Sequence, residues 1–296
     1  MNFGVISPSS RDELLQAMTR LQPDNFRFGA GYTDLLLEIR KAPAPDLTVI
    51  NLTRLIDDEF TSIKMDGDRL RIGSLVTVAH LLDNELIGLH YPALRQAASV
   101  LASRQIREVA TVGGNLCTAS PAGDVACALV ALKAECDILR ADGTTRTVPI
   151  SEFFIGVRKT TLKRDELLMS VIIPSNRSEA RLHSGFIKVG RRRSMECSVV
   201  SLAYHLQITP QGSLIAAGAA IGSAAPTIRF TKSACDFLVG RHLKSFDSDA
   251  VRSFADLIVS SARPISDQRA SAEYRSRVLY NIAKSVLETL SKIKGK

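Results

Sequence analysis

Thr111-Val112-Gly113-Gly114-Asn115 is followed a few residues on by Ala119-Ser120-Pro121-Ala122-Gly123-Asp124, and then by a nearly unbroken apolar stretch. The pattern predicts a glycine-bearing loop at the head of an apolar helix over residues 121–134. A loop of this kind suits an anion, because small residues let the backbone approach and free N–H groups with the helix dipole attract phosphate. Gly113 is the position read as facing that phosphate. A second such turn lies upstream, at Phe28-Gly29-Ala30-Gly31-Tyr32-Thr33-Asp34-Leu35. There a short strand at 26–28 opens into a helix capped by Thr33, and a second strand follows at 48–51. Two such turns together can clamp a pyrophosphate. Neither carries the Gly-Lys-Ser/Thr of a P-loop or the G-x-G-x-x-G of a Rossmann site, and each by itself also reads as a plain structural turn.

Outward from these turns the chain reads as α+β. Ser10-Arg11-Asp12-Glu13 has capping-box spacing, and Leu14, Leu15, Met18 and Leu21 recur at helical intervals. Asp66-Gly67 and Asp142-Gly143 predict hairpins joining strands at 61–65 with 69–73 and at 136–140 with 144–150. Helices are expected over 77–83 and 92–101, and a strand over 167–173. Residues 175–181 are polar and lack periodicity, which marks a domain boundary. Beyond it, Val200, Leu202, Tyr204, Leu206 and Ile208 alternate as a strand, 214–221 forms another, and the pattern from Pro226 is helical.

Composition narrows the class. The 296 residues are 45% apolar and 23% charged, enough for a sizeable core in about two domains. No apolar run approaches the ~18–20 residues of a membrane span, and the N-terminus lacks a signal-peptide pattern, so a soluble cytoplasmic protein is expected. Cys117, Cys127, Cys136, Cys197 and Cys235 include no C-x-x-C pair, which argues against a zinc knuckle, a disulfide framework or an iron–sulfur site on this chain. The net charge of +8 invites a polyanion reading. Aromatics are only 5% with no Trp, so the basic cluster Arg191-Arg192-Arg193 reads as solvated or partner-facing surface rather than a nucleic-acid platform. The five histidines lack metal-ligand spacing, and Asp57-Asp58-Glu59 reads as a solvated acidic loop.

The two turns in this order, with Phe186-Ile187-Lys188 and Arg191-Arg192 after them, resemble the medium, FAD-binding subunit of the molybdenum hydroxylases. That family includes xanthine dehydrogenase and the flavoprotein subunit of carbon monoxide dehydrogenase. The resemblance covers essentially the whole chain. It implies a two-part FAD-binding domain of the PCMH type over 1–177, with subdomains at about 1–55 and 56–177. A C-terminal α+β domain of antiparallel sheet and helices follows over 178–296.

The resemblance also implies site residues. Residues 28–35 correspond to the first FAD loop and Thr111, Val112, Gly113, Gly114 and Asn115 to the second. Thr118 and Asp124 fall at further FAD-contacting positions, with Asp124 an acceptor for cofactor hydroxyls. Leu101, Leu168 and Lys188 match positions lining the flavin or adenine ends, and Lys188 is the cation among them. No catalytic residue and no metal ligand is implied. Tyr32 stands where many relatives have Gly, so the turn either takes a positive φ from Tyr or has another shape. Cys127 and Glu196 replace the Pro and Asp of many relatives. Cys117, inside the second loop, reads as a buried packing residue.

The implied function is that of an electron-transfer subunit. Electrons pass from a molybdopterin large subunit through [2Fe-2S] clusters on a small subunit to FAD on this chain, and then to NAD or another acceptor. Two other readings stand beside it: a freestanding FAD-dependent oxidoreductase of the same fold, and a non-catalytic basic binding protein.

Overall fold

A computed structural model describes residues 3–21, 25–175, 180–192 and 195–291. Three sheets carry the architecture. The first is parallel, with Thr48–Asn51 between Gly4–Ile6 and Phe26–Gly29. Its connections are the helices Arg11–Leu21 and Leu35–Lys41. The first helix begins where the capping spacing predicts, but Glu13 reaches back to the Ser9 N–H at 2.7 Å rather than to Ser10. Thr33 does not cap the second. Asp34 occupies that position and makes no side-chain capping bond.

The second sheet is antiparallel, in the spatial order Ile63–Asp66, Arg69–Gly73, Glu166–Ile173, Glu135–Arg140, Thr145–Pro149. Both Asp-Gly pairs turn hairpins, and Gly67 and Gly143 take positive φ there. Glu166–Ile173 is buried along its whole length, because its two faces serve two cores. Leu167 and Met169 pack with Leu14, Met18 and Phe26 of the first unit. Leu168, Val171 and Ile173 face the helices Pro92–Ser99 and Asp124–Ala131. A strand covered on both sides reads as a continuous apolar run rather than an alternation, as this one does.

The third sheet, also antiparallel, runs Arg181–Val189, Val200–Ile208, Leu214–Gly222, Arg229–Phe230. Val200, Leu202, Leu206 and Ile208 share one face with the helices Lys232–Leu238, Ser248–Ser260 and Ala272–Ser291. Arg229–Phe230 interrupts the helical pattern expected from Pro226 onward. On the other face, Phe186, Ala203 and Ala220 join the core of the second sheet. Residues 181–291 are therefore packed directly on the preceding part rather than tethered to it. The middle of the expected boundary segment, residues 176–179, lies outside the described residues.

Further sequence expectations change. The loop at 111–115 is the start of a helix, Val112–Thr118, and the apolar helix is the shorter Asp124–Ala131. Ala119, in the left-handed region at φ 47°, separates them. Asp57-Asp58-Glu59 is not merely solvated: Asp57 caps the short helix Asp58–Thr61 and pairs with Arg11 at 2.6 Å, while Glu59 pairs with Lys64 at 2.8 Å. No described helix is long and apolar enough to cross a membrane.

Candidate functional site

The two turns meet on one cleft of about 820 Å³, a size typical of sites for extended organic cofactors. Gly31 explains how they come so close. A Cβ there would lie 2.0 Å from the Val109 carbonyl oxygen, so only glycine lets the first turn rest on the segment leading into the second. The contact continues through side chains, where Thr118 Oγ1 donates to Asp34 Oδ2 at 3.3 Å. Tyr32 takes the left-handed conformation at φ 59°.

Thr111 caps the helix Val112–Thr118 by accepting from the Gly114 N–H at 3.0 Å. Gly114 is exposed on the cleft wall, whereas Gly113 is buried. The Gly113 N–H donates to the Ser74 carbonyl at 2.7 Å, and a Cβ on Gly113 would lie 2.6 Å from Ser74 Cβ. Gly113 is therefore required for packing against Ser74, and Gly114 is the glycine exposed on the cleft. Asn115 spends its Oδ1 on the Ala126 N–H at 3.2 Å, which holds the head of the helix Asp124–Ala131 at the cleft.

Asp124 and Lys188 pair on the cleft wall. Lys188 Nζ donates to Asp124 Oδ2 at 2.6 Å and to the Val100 carbonyl at 3.1 Å. Both side chains are largely buried, and Asp124 Oδ1 has no hydrogen-bond partner among the described residues. Burial raises the Asp124 carboxyl to about 6, and the Lys188 charge and hydrogen bond limit that rise. Lys188 is thus neither a free cation nor an ordinary surface lysine.

Of the residues singled out from sequence, the cleft wall includes Phe28, Ala30, Gly31, Tyr32, Thr33, Asp34, Leu35, Leu101, Thr111, Gly113, Gly114, Asn115, Thr118, Asp124, Leu168 and Lys188. Gly29 and Val112 are not on it. Gly29 lies beneath the Tyr32 ring, and Val112 is fully buried with its N–H on the Val76 carbonyl at 2.9 Å. Cys117 is exposed on the wall rather than buried, in a concave setting where surrounding protein pushes its thiol up to about 12. Ser74 and Leu75 also line the cleft and carry no local sequence signal. Arg158, Lys163 and Arg164 line it too, and their short basic clusters Arg158-Lys159 and Lys163-Arg164 read in sequence only as solvated or partner-facing charge. Arg158 and Arg27 share Glu38, at 2.9 and 2.6 Å. Among the described residues, no group of histidine, cysteine or carboxylate side chains is arranged to hold a metal ion.

The arrangement fits a dinucleotide. Small residues and a helix start face one stretch of the cleft, apolar Leu101 and Leu168 line it, and the unpartnered Asp124 Oδ1 awaits a donor such as a hydroxyl.

Comparison with known proteins agrees. The family described as FAD binding domain in molybdopterin dehydrogenase matches residues 1–176, and the CO dehydrogenase flavoprotein C-terminal domain matches 185–290. The xanthine dehydrogenase FAD-binding subunit of Escherichia coli is 30% identical over 258 residues, 87% of this chain and 86% of that one. The nicotinate dehydrogenase FAD-subunit of Eubacterium barkeri is 30% identical over 272 residues, covering 90% and 88%. In structure, a chain of the CO dehydrogenase of Hydrogenophaga pseudoflava superposes with a TM-score of 0.87 at 23% identity, covering 97% of this chain and 96% of that one. The family match and these relatives define an FAD-binding flavoprotein of oxidoreductase type. More particularly, the chain belongs to the family of FAD subunits of the molybdenum hydroxylases.

Proposed function

We propose that this chain is the FAD-carrying electron-transfer subunit of a cytoplasmic complex. Its partners would be a small subunit with [2Fe-2S] clusters and a large molybdopterin subunit, with NAD as the final acceptor. Residues 1–177 would form the cofactor unit and 178–296 the C-terminal domain. FAD, when bound, supplies the redox chemistry, taking electrons singly and passing them on as a pair. The chain supplies the binding and electrostatics. Gly114 and the capped helix start would face the diphosphate, with Ala30 and Gly31 opposite. Asp124 Oδ1 would accept from a cofactor hydroxyl while Lys188 holds its other oxygen.

The observation that carries this reading is the meeting of both glycine-bearing turns on one cleft, with the Asp124–Lys188 pair on its wall. Denaturing the purified chain should release FAD in equimolar amount. Release of FMN, or no flavin after reconstitution, would refute the site. Expressed with its neighbours, the chain should co-purify with iron- and molybdenum-containing subunits and contain no iron alone. A chain that elutes free at every concentration would contradict the complex.

A further inference from the structure

Within residues 28–35 the positive φ falls on Tyr32, not on the glycines beside it. A bulky side chain in the left-handed region is strained and persists only where its surroundings hold it. Here the hold is visible. The Tyr32 hydroxyl donates to Asn51 Oδ1 at 2.8 Å. Asn51 ends the central strand of the parallel sheet, and its amide cannot turn freely. Its Oδ1 also accepts from the Thr53 hydroxyl at 3.0 Å and the Thr53 N–H at 3.3 Å, and its Nδ2 donates to Ser7 Oγ at 3.1 Å. The Tyr32 ring lies so close over Gly29 that a Cβ there would be 2.5 Å from Tyr32 Cζ. On its far side, the Tyr32 carbonyl accepts from the Leu36 N–H at 3.4 Å at the opening of the next helix.

We infer that Tyr32 is a positioning residue for the first cofactor turn: its hydroxyl, anchored on Asn51, holds residues 30–34 in the shape that receives the FAD diphosphate before FAD arrives. This rests on the reading that the turn faces FAD. A turn ordered in advance spares binding the cost of ordering it, so the latch acts on affinity by holding the turn's shape.

The test uses the full chain stripped of flavin, with FAD affinity from flavin fluorescence and thermal midpoint and amide exchange from the FAD-free protein. Tyr32→Phe should weaken FAD by about 3- to 10-fold, the worth of one net hydrogen bond. It should also speed amide exchange across 30–34 while leaving the global midpoint nearly unchanged. In an Asn51→Ala background the same substitution should cost nothing further. Tyr32→Gly, which accepts the positive φ without strain, should bind FAD no better than Tyr32→Phe. Wild-type affinity in Tyr32→Phe, or an undiminished loss in the Asn51→Ala background, overturns the latch. Gly114→Val separates this from the site itself. If that variant loses FAD while Tyr32→Phe does not, the latch fails and the site stands; if both bind normally, the site reading falls too.

Discussion

Lys188 and Asp124 form an ion pair 2.6 Å long that joins the strand Arg181–Val189 to the head of the helix Asp124–Ala131 on the cleft wall. The pair couples the two matched family regions within the cleft wall. A second tie lies nearby, where the Phe186 N–H donates to Gln96 Oε1 at 2.8 Å. Because the carboxylate offsets the ammonium, the charge presented to a cofactor is that of the pair. Removing either member changes it.

The first prediction follows from that charge balance. Lys188→Met removes the ammonium that limits the rise of the Asp124 carboxyl and should, at alkaline pH where that carboxyl is ionised, lower the flavin midpoint potential, whereas adding Asp124→Asn should return the potential most of the way. Spectroelectrochemical titration of the two variants checks this. Equal potentials in both would show that the pair does not act on the flavin.

Asp124 also sets a pH dependence. Its folded pKa, about 6 against 3.8 in the unfolded chain, means that the folded protein keeps a proton the unfolded chain has released. The stability of the FAD-free chain should therefore fall as pH rises from about 4 to about 6 and level off above. The cost corresponds to about 3 kcal/mol at two pKa units or slightly more. Asp124→Asn should flatten that slope in urea titrations across the window.

Glu166 works in the opposite sense. Arg146 and Arg140 hold its buried carboxylate, with Arg146 at 2.7 Å, and bring its pKa down to about 2 despite the cost of burial. Its contribution is fully present above pH 4.5, the unfolded value, and is lost as pH falls toward about 2. Glu166→Gln, which strands two guanidinium groups, should cost about 3 kcal/mol at neutral pH. Chemical denaturation of the variant beside the wild type measures it.

The adjacent glycines of the second turn should separate cleanly. Gly113→Ala drives a Cβ into Ser74 and should destabilise the fold by about 1–3 kcal/mol, FAD present or absent. Gly114→Val meets only the Thr111 hydroxyl, 3.0 Å from its Cβ, and should lower FAD affinity at least about tenfold, which is about 1.4 kcal/mol, with a smaller loss of stability than Gly113→Ala. Thermal melts of the FAD-free variants and FAD titrations distinguish the two effects.

Thiol labelling offers a map of the cleft. Cys117 and Cys197 are exposed on its wall, while Cys127, Cys136 and Cys235 are buried. In the native FAD-free chain a maleimide should modify the first two alone, Cys117 slowly and faster with rising pH because its thiol is pushed up to about 12. Bound FAD should protect Cys117.

Both turns, both Asp-Gly hairpins and the first helix were legible in sequence because their signals are local. Capping hydroxyls, glycine and helical spacing act within a few residues, and the alternation at 200–208 reports one buried face. The positive φ considered for Tyr32 was of the same kind. The helix Val112–Thr118 escaped because its glycines argue against a helix, while the Thr111 cap and the buried contact with Ser74 outweigh that propensity.

By itself, then, the sequence determined that two glycine-bearing turns exist, that most of the strands and helices follow in the order read, and that no cysteine pattern for a cluster is present. Tertiary structure alone decided which glycine packs and which faces the cleft. It also decided that Lys188 meets Asp124 across 64 residues, and that Ser74, Arg158 and Lys163 complete the wall. The reason is physical: these choices depend on how three sheets pack against one another, and such contacts leave no trace in the spacing of neighbouring residues.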